Sequence, residues 1–296
     1  EATSADGLKG EVVTLYQGAL YHLYRYKRYT DVRLVFAPEF DIAFFGGDPD
    51  NFTYPRFNLD ITLFRVYENG EPAKVEHYLK WSPNGAKDGE LVFTSGHPGA
   101  TQRQNTVAHL EYLRDLGMPW SLTVLERRHA ALTQYAARGP EQMRQVKDEI
   151  FGIENALKSR RGQLQGLKDA ATMARKAQDE KALRDAVSAD AAMKTEIGAP
   201  WSQVAAARKG LPAYAKEYEM LEGAGGFATR LYSLARTIVR LAEENAKPND
   251  QRLPEFGQAR RTSLERALYS PAPIYPEAEQ AKLADSLAFM QQTLGP

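Results

Sequence analysis

The chain has no cysteine. That excludes disulfides, thiolate catalysis and cysteine-based metal sites, and leaves the compartment open. It has no excess of either charge, with 38 Lys plus Arg against 38 Asp plus Glu. A balanced chain makes no electrostatic case for nucleic acid or an anionic membrane as partner. Long apolar runs are missing too, and none approaches the roughly 20 residues of a membrane-spanning helix. There is no His-Glu-x-x-His run and no phosphate-cradling glycine loop, which argues against a zinc peptidase or a nucleotide enzyme. No cofactor or metal is expected. Repeats and low-complexity tracts are absent.

What is present is 296 residues, enough for one large or two ordinary domains. The first hundred residues favour strands. Val12–Tyr16 is β-branched and aromatic, and Leu20–Tyr29 would place Leu20, His22, Tyr24 and Tyr26 on one face. Val32, Leu34 and Phe36 suggest a half-buried strand stopped by Pro38. Further strands are expected at Ile61–Tyr67, followed by an Asn69-Gly70 turn, and at Leu91–Thr94.

After about Gln102 the pattern becomes helical. Leu110, Leu113 and Leu116 start it, and Gly117-Met118-Pro119 should break it. Trp120–Ala137 resumes. From Gly139-Pro140 onward, Met143, Val146, Ile150, Ile153 and Leu157 form a stripe that Leu164 and Leu167 continue. That segment is expected to pair with Ala170–Ile197 as a long antiparallel hairpin. Helices at Trp201–Leu221 (with a break at Gly210-Leu211-Pro212), Leu231–Leu241, Arg260–Tyr269 and Pro276–Leu294 follow. The fold class is α+β.

The chemistry concentrates in the loop Gly46-Gly47-Asp48-Pro49-Asp50-Asn51-Phe52-Thr53-Tyr54-Pro55-Arg56-Phe57-Asn58-Leu59-Asp60. Gly, Asp, Pro and Asn are turn formers. Asp60 sits where this loop enters the apolar run from Ile61. A carboxylate held there can cap backbone N–H groups, or orient a histidine. Asn51 is either a turn residue or an acceptor for an ammonium group. Asp48 and Asp50 lack the further oxygen ligands of a calcium loop, so they read as turn residues; Arg56 receives no role.

This loop, with Tyr24–Pro38 and Ser95-Gly96-His97-Pro98-Gly99, resembles the bacterial serine dipeptidyl-peptidase 7 / dipeptidyl-peptidase 11 family. The resemblance implies a chymotrypsin-like double β-barrel carrying a helical insertion, with residues 1–102 from the barrel and 103–296 from the insertion. Asp60-Ile61-Thr62-Leu63-Phe64 is similar to the strand bearing the triad aspartate in such enzymes generally. The resemblance assigns Asp60 as that aspartate. It assigns Asn51, nine residues earlier, and Phe52, where the family usually has Trp, to the free amino terminus of a peptide substrate. It further implies release of dipeptides from peptide N-termini, export to the periplasm or cell surface, and a homodimer for the full-length protein.

The other triad members are not recognisable. Of the five histidines, only His22 precedes Asp60, and it lies in a tyrosine-rich strand. His97 occupies a tight turn, while His109 and His129 fall on helices. No Gly-Asn-Ser-Gly-type turn occurs, and Ser95-Gly96 only imitates one. Both ends read as cuts, with the family histidine expected before Glu1 and the serine after Pro296. The chain by itself is expected to be inactive. The alternative is a non-catalytic helical interaction module on a β platform, which the Met143–Leu167 stripe would serve.

Overall fold

A computed structural model describes residues 2–3, 8–15, 19–43, 50–93, 102, 104–223 and 225–295. The fold is mixed α+β with a large helical part. The described residues divide into two compact units. Those within Glu1–Phe44 and Phe57–Ala100 form a β unit, and those within Phe45–Arg56 and Thr101–Pro296 a helical unit.

In the β unit, β1 (Ala2–Thr3), β2 (Lys9–Leu15) and β3 (Leu20–Tyr26) form an antiparallel sheet. Val13 pairs with His22 and Glu11 with Tyr24. The period-2 pattern of β3 does line up His22, Tyr24 and Tyr26, with successive ring centroids 6.2 and 6.0 Å apart. A second antiparallel sheet joins β4 (Asp31–Phe36), β5 (Leu63–Glu68) and β6 (Glu71–Pro72). Asn69 and Gly70 both have positive φ between β5 and β6, as a tight hairpin demands.

Three strand expectations change. The Ile61 strand begins at Leu63, Leu91–Phe93 is not a strand, and β4 is not half-buried: Val32, Leu34, Val35 and Phe36 are all exposed. No described residue of the β unit reaches the buried class. Its two three-stranded sheets leave apolar side chains such as Phe64 uncovered, so alternation here marks strand faces without a core beneath them.

The helical unit begins with α2 (Val107–Tyr112), after the short α1 (Phe40–Ala43) of the β unit. The Gly117-Met118-Pro119 break does not occur. The chain widens into a π turn, Leu113–Gly117, and continues as α3 (Met118–Ala136). Pro119 fits because the first turn of a helix has no use for its missing N–H. A short Ala137–Gly139 connection leads to α4 (Pro140–Lys168), and Tyr135 Oη donates to Gln145 Oε1 at 2.6 Å across it.

The α4 stripe falls as expected, with Val146, Ile150, Ile153 and Leu157 buried, although Met143 is exposed. Its partner differs. The core is built with Leu132, Tyr135 and Ala136 of α3 and Ala278 of α11 (Pro276–Leu294), and the Ala170–Ile197 segment contributes no buried residue to it. That segment is also two helices, α5 (Ala170–Ala189) and α6 (Ala191–Ile197), because Asp190 caps the second by accepting from the Ala192 and Met193 amides. Its alanine-rich, charged surface offers too little apolar area to compete with α3 for the stripe. Fully burying each leucine or isoleucine is worth about 1.5–3 kcal/mol, and α3 supplies the larger side chains.

Polar links reinforce the packing. His129 Nε2 lies 3.0 Å from Glu154 Oε1, and Arg161 pairs with Glu126 at 2.8 Å, both between α3 and α4. Lys282 of α11 bridges Glu149 at 3.0 Å and Glu279 at 2.8 Å. The remaining helices are α7 (Pro200–Gly210), α8 (Ala215–Leu221), α9 (Arg230–Asn245) and α10 (Arg261–Leu268). The predicted break near Pro212 is the 3-10 turn Leu211–Ala213. Among the described residues no helix is long and apolar enough to cross a membrane.

Candidate functional site

Residues 50–56 pack with the helical unit, and the structure gives their tip a defined shape. The Thr53 amide donates to the Asp50 carbonyl at 2.9 Å, closing a turn over Asn51 and Phe52. Asn51 is 2 % exposed, and its Nδ2 donates to Asn155 Oδ1 at 2.8 Å. A buried amide needs such a partner, since leaving one unsatisfied costs about 1–3 kcal/mol. Because its nitrogen is committed to Asn155, the acceptor capacity of Asn51 resides in Oδ1.

Phe52 has φ 58, in the left-handed region, and the residue is 63 % exposed. For a bulky residue that conformation costs about 1–3 kcal/mol. The turn thus directs the amide inward onto α4 and the ring outward.

Asn155 was not singled out in the sequence. It follows Glu154, the partner of His129, and lies within α4 between the buried residues Ile153 and Leu157. The available signal was its residue type, because asparagine is a poor helix former and sits mid-helix here.

Asp60 belongs to the β unit. Just before it, the Leu59 amide donates to the Ile42 carbonyl at 3.0 Å and ties the loop end to α1. Asp60 is exposed and lies in irregular chain three residues ahead of β5. The structure therefore brings Asn51 and Phe52 together on one unit and carries Asp60 on the other. Gly46, Gly47, Asp48 and Pro49 of the loop, and the Ser95–Gly99 block with His97, lie outside the described residues.

Among the other histidines, His22 is exposed on β3 and His129 is engaged by Glu154. His109 Nδ1 is 2.8 Å from Thr106 Oγ1. Burial, then the nearby Arg208 charge, push His109 below its ordinary value of 6.5 despite Glu180. Among the described residues no group of three His, Cys, Asp or Glu could hold a metal ion.

The whole chain, residues 1–296, matches the family described as Peptidase S46, and the protein belongs to that family. It is similar to an Asp/Glu-specific dipeptidyl-peptidase of Shewanella putrefaciens, at 31% identity over 177 residues. That alignment covers 55% of this chain and 24% of that protein. A second protein of the same description, from Porphyromonas gingivalis, is 29% identical over 163 residues, covering 51% of this chain and 23% of the relative. Dipeptidyl-peptidase 7 of Porphyromonas endodontalis is 37% identical over 117 residues, covering 36% and 14%. The chain thus spans about a quarter or less of the length of these curated relatives.

Proposed function

We propose that the chain is part of a serine-type dipeptidyl aminopeptidase that releases dipeptides from free peptide N-termini. The observation that carries this reading is the family match over the whole chain, joined to relatives named as dipeptidyl-peptidases. Residues 1–102 are read as part of a chymotrypsin-like double β-barrel and 103–296 as its helical insertion. The uncovered apolar sheet faces support the first assignment, since strands of a barrel are buried by the remainder of the barrel. The relatives are long enough to supply it.

In this reading Asp60 orients a histidine and stabilises its cation while that histidine takes the proton of the nucleophilic serine. The serine attacks the peptide carbonyl, and water then releases the dipeptide from the acyl-enzyme. Asn51 Oδ1 accepts from the substrate ammonium, Asn155 fixes the Asn51 amide, and Phe52 forms the adjoining wall. The substrate is a peptide with a free amino terminus, the compartment is the periplasm or cell surface, and the full-length protein is a homodimer.

The test uses the full-length protein and a fluorogenic dipeptidyl substrate. Asp60→Ala should lower kcat by about 10⁴-fold, the scale on which a triad fails when its histidine is misoriented. Asn51→Ala should chiefly weaken capture of the free amino terminus, and an N-acetylated substrate should fail with the unaltered enzyme. Undiminished turnover by Asp60→Ala would sink the catalytic assignment. The alternative, a non-catalytic interaction module, is not favoured by a peptidase family match of this extent.

A further inference from the structure

The helical unit contains a cleft of about 530 Å³ between the π turn, the start of α3 and the 3-10 turn leading into α8. One wall is apolar: Leu116 and Trp120 face it from the π turn and α3, and Pro212 closes it from the other side. π turns inside helices recur at functional sites because the widened turn re-aims side chains. Here the turn ends at Gly117, also on the cleft, where a Cβ would come within 3.3 Å of the Leu113 and Tyr112 side chains.

The polar lining is unbalanced. Among the described residues, Arg128 of α3, Arg160 of α4 and Lys216 of α8 face the cleft, against one carboxylate, Glu219. Neighbouring arginines on the same helices are neutralised: Arg127 pairs with Asp285 at 2.9 Å and Arg161 with Glu126 at 2.8 Å. Among the described residues the cleft cations have no carboxylate partner. Arg160 donates to the neutral Gln163 at 3.3 Å, and Lys216 Nζ lies 5.9 Å from the Trp120 ring centroid. Arg128 has no hydrogen bond, ion pair or ring contact among the described residues. Three cations from three helices on a partly apolar pocket are complementary to an anion with an apolar body. Guanidinium groups suit carboxylates in particular, because their planar fork matches the two oxygens.

We propose that this cleft is a binding site for a peptide segment carrying a carboxylate next to an apolar side chain. The apolar side chain would lie against Leu116 and Trp120, and the carboxylate between Arg160 and Lys216. The choice of a peptide as the anion rests on the peptidase reading; the preference for a carboxylate rests on the cleft alone. The site does not require a free amino terminus, which separates it from the Asn51 pair.

The experiment is calorimetric titration of the purified protein with N-acetyl-Leu-Asp-Phe-Asp. N-acetyl-Leu-Asn-Phe-Asn amide serves as the uncharged control, and Trp120 fluorescence as a second readout. The acidic peptide should bind, lose affinity with added salt and perturb Trp120. The control should not bind. The double variant Arg160→Gln/Lys216→Gln should weaken binding by at least tenfold, the order expected for one lost charge-assisted hydrogen bond. Equal binding of the two peptides would overturn the proposal, as would unaltered affinity in the double variant. A peptide-induced fluorescence change that persists in Trp120→Phe would place the peptide elsewhere and also overturn it. Because the peptides are blocked, failure here leaves the catalytic reading standing. Dipeptide release by the full-length protein tests that reading independently.

Discussion

Tyr135 of the helical unit is 1 % exposed, whereas Phe64 of the β unit is 62 % exposed. Both are large apolar side chains on regular elements that the sequence pattern predicted. The difference lies in how each element completes itself. A helix satisfies its backbone hydrogen bonds internally and needs only one apolar stripe covered; α4 finds that cover in α3 and α11. A strand needs neighbours for its backbone and a second layer for its side chains. The three-stranded sheets have the neighbours but, among the described residues, no such layer. Hydrophobic periodicity therefore identifies an element without establishing that its face is buried.

The largest effects should fall on this contrast. Leu132→Ala or Ile150→Ala removes buried volume from the α3–α4 core and should cost about 2–5 kcal/mol in urea unfolding. Phe64→Ala or Leu34→Ala in the same chain should change it by less than about 0.5 kcal/mol, as for other exposed positions. Comparable losses at the two sets would show that the β unit has a core of its own, and would break the contrast.

The Asn51–Asn155 pair probes a loop that leaves the β segment in sequence yet packs with the helices. Asn51→Ala orphans the Asn155 acceptor and should cost about 1–3 kcal/mol. Amide exchange across residues 50–56 should quicken while that of α3 stays unchanged. Uniform quickening throughout the helical unit would instead make the loop part of its cooperative core.

A pH effect is expected from the buried carboxylate–lysine cluster of the helical unit. Burial pushes Glu279 upward, but Lys282 and the Leu231 amide outweigh it and hold Glu279 below its ordinary 4.5. Its stabilisation is therefore complete above that value and is lost as pH falls through the lowered folded value. For Lys282 burial acts downward, and Glu279 with Glu149 outweighs it, raising Lys282 above 10.5. That contribution is complete below 10.5 and is lost as pH rises through the raised value. Helical ellipticity followed in thermal melts should reveal both limbs, and Glu279→Gln should flatten the acid one. A variant with the same acid limb as the unaltered chain would remove Glu279 from this account.

The smallest effect is expected at the α5–α6 junction. Asp190→Ala deletes a side-chain cap and should cost about 1 kcal/mol, read as faster exchange in α6 alone. A loss spreading to α4 would mean that α5 and α6 are coupled to the main core after all.

Much of the secondary structure was legible in the sequence: the stripe from Val146 to Leu157, the start at Pro140, the break near Pro212 and the aromatic face of β3. These depend on spacings of two to four residues and on backbone chemistry confined to a few positions. The sequence also carried the loop ending at Asp60 and the family resemblance that fits the match to Peptidase S46. Packing in three dimensions was needed to show that α3, and not the Ala170–Ile197 segment, covers α4, and that the Gly117-Met118-Pro119 sequence widens a helix without ending it. It alone joined Asn51 to Asn155, 104 residues away, and gathered Arg128, Arg160 and Lys216 onto one cleft. Such contacts join residues whose separation along the chain carries no periodic signal, and packing decides which of them meet.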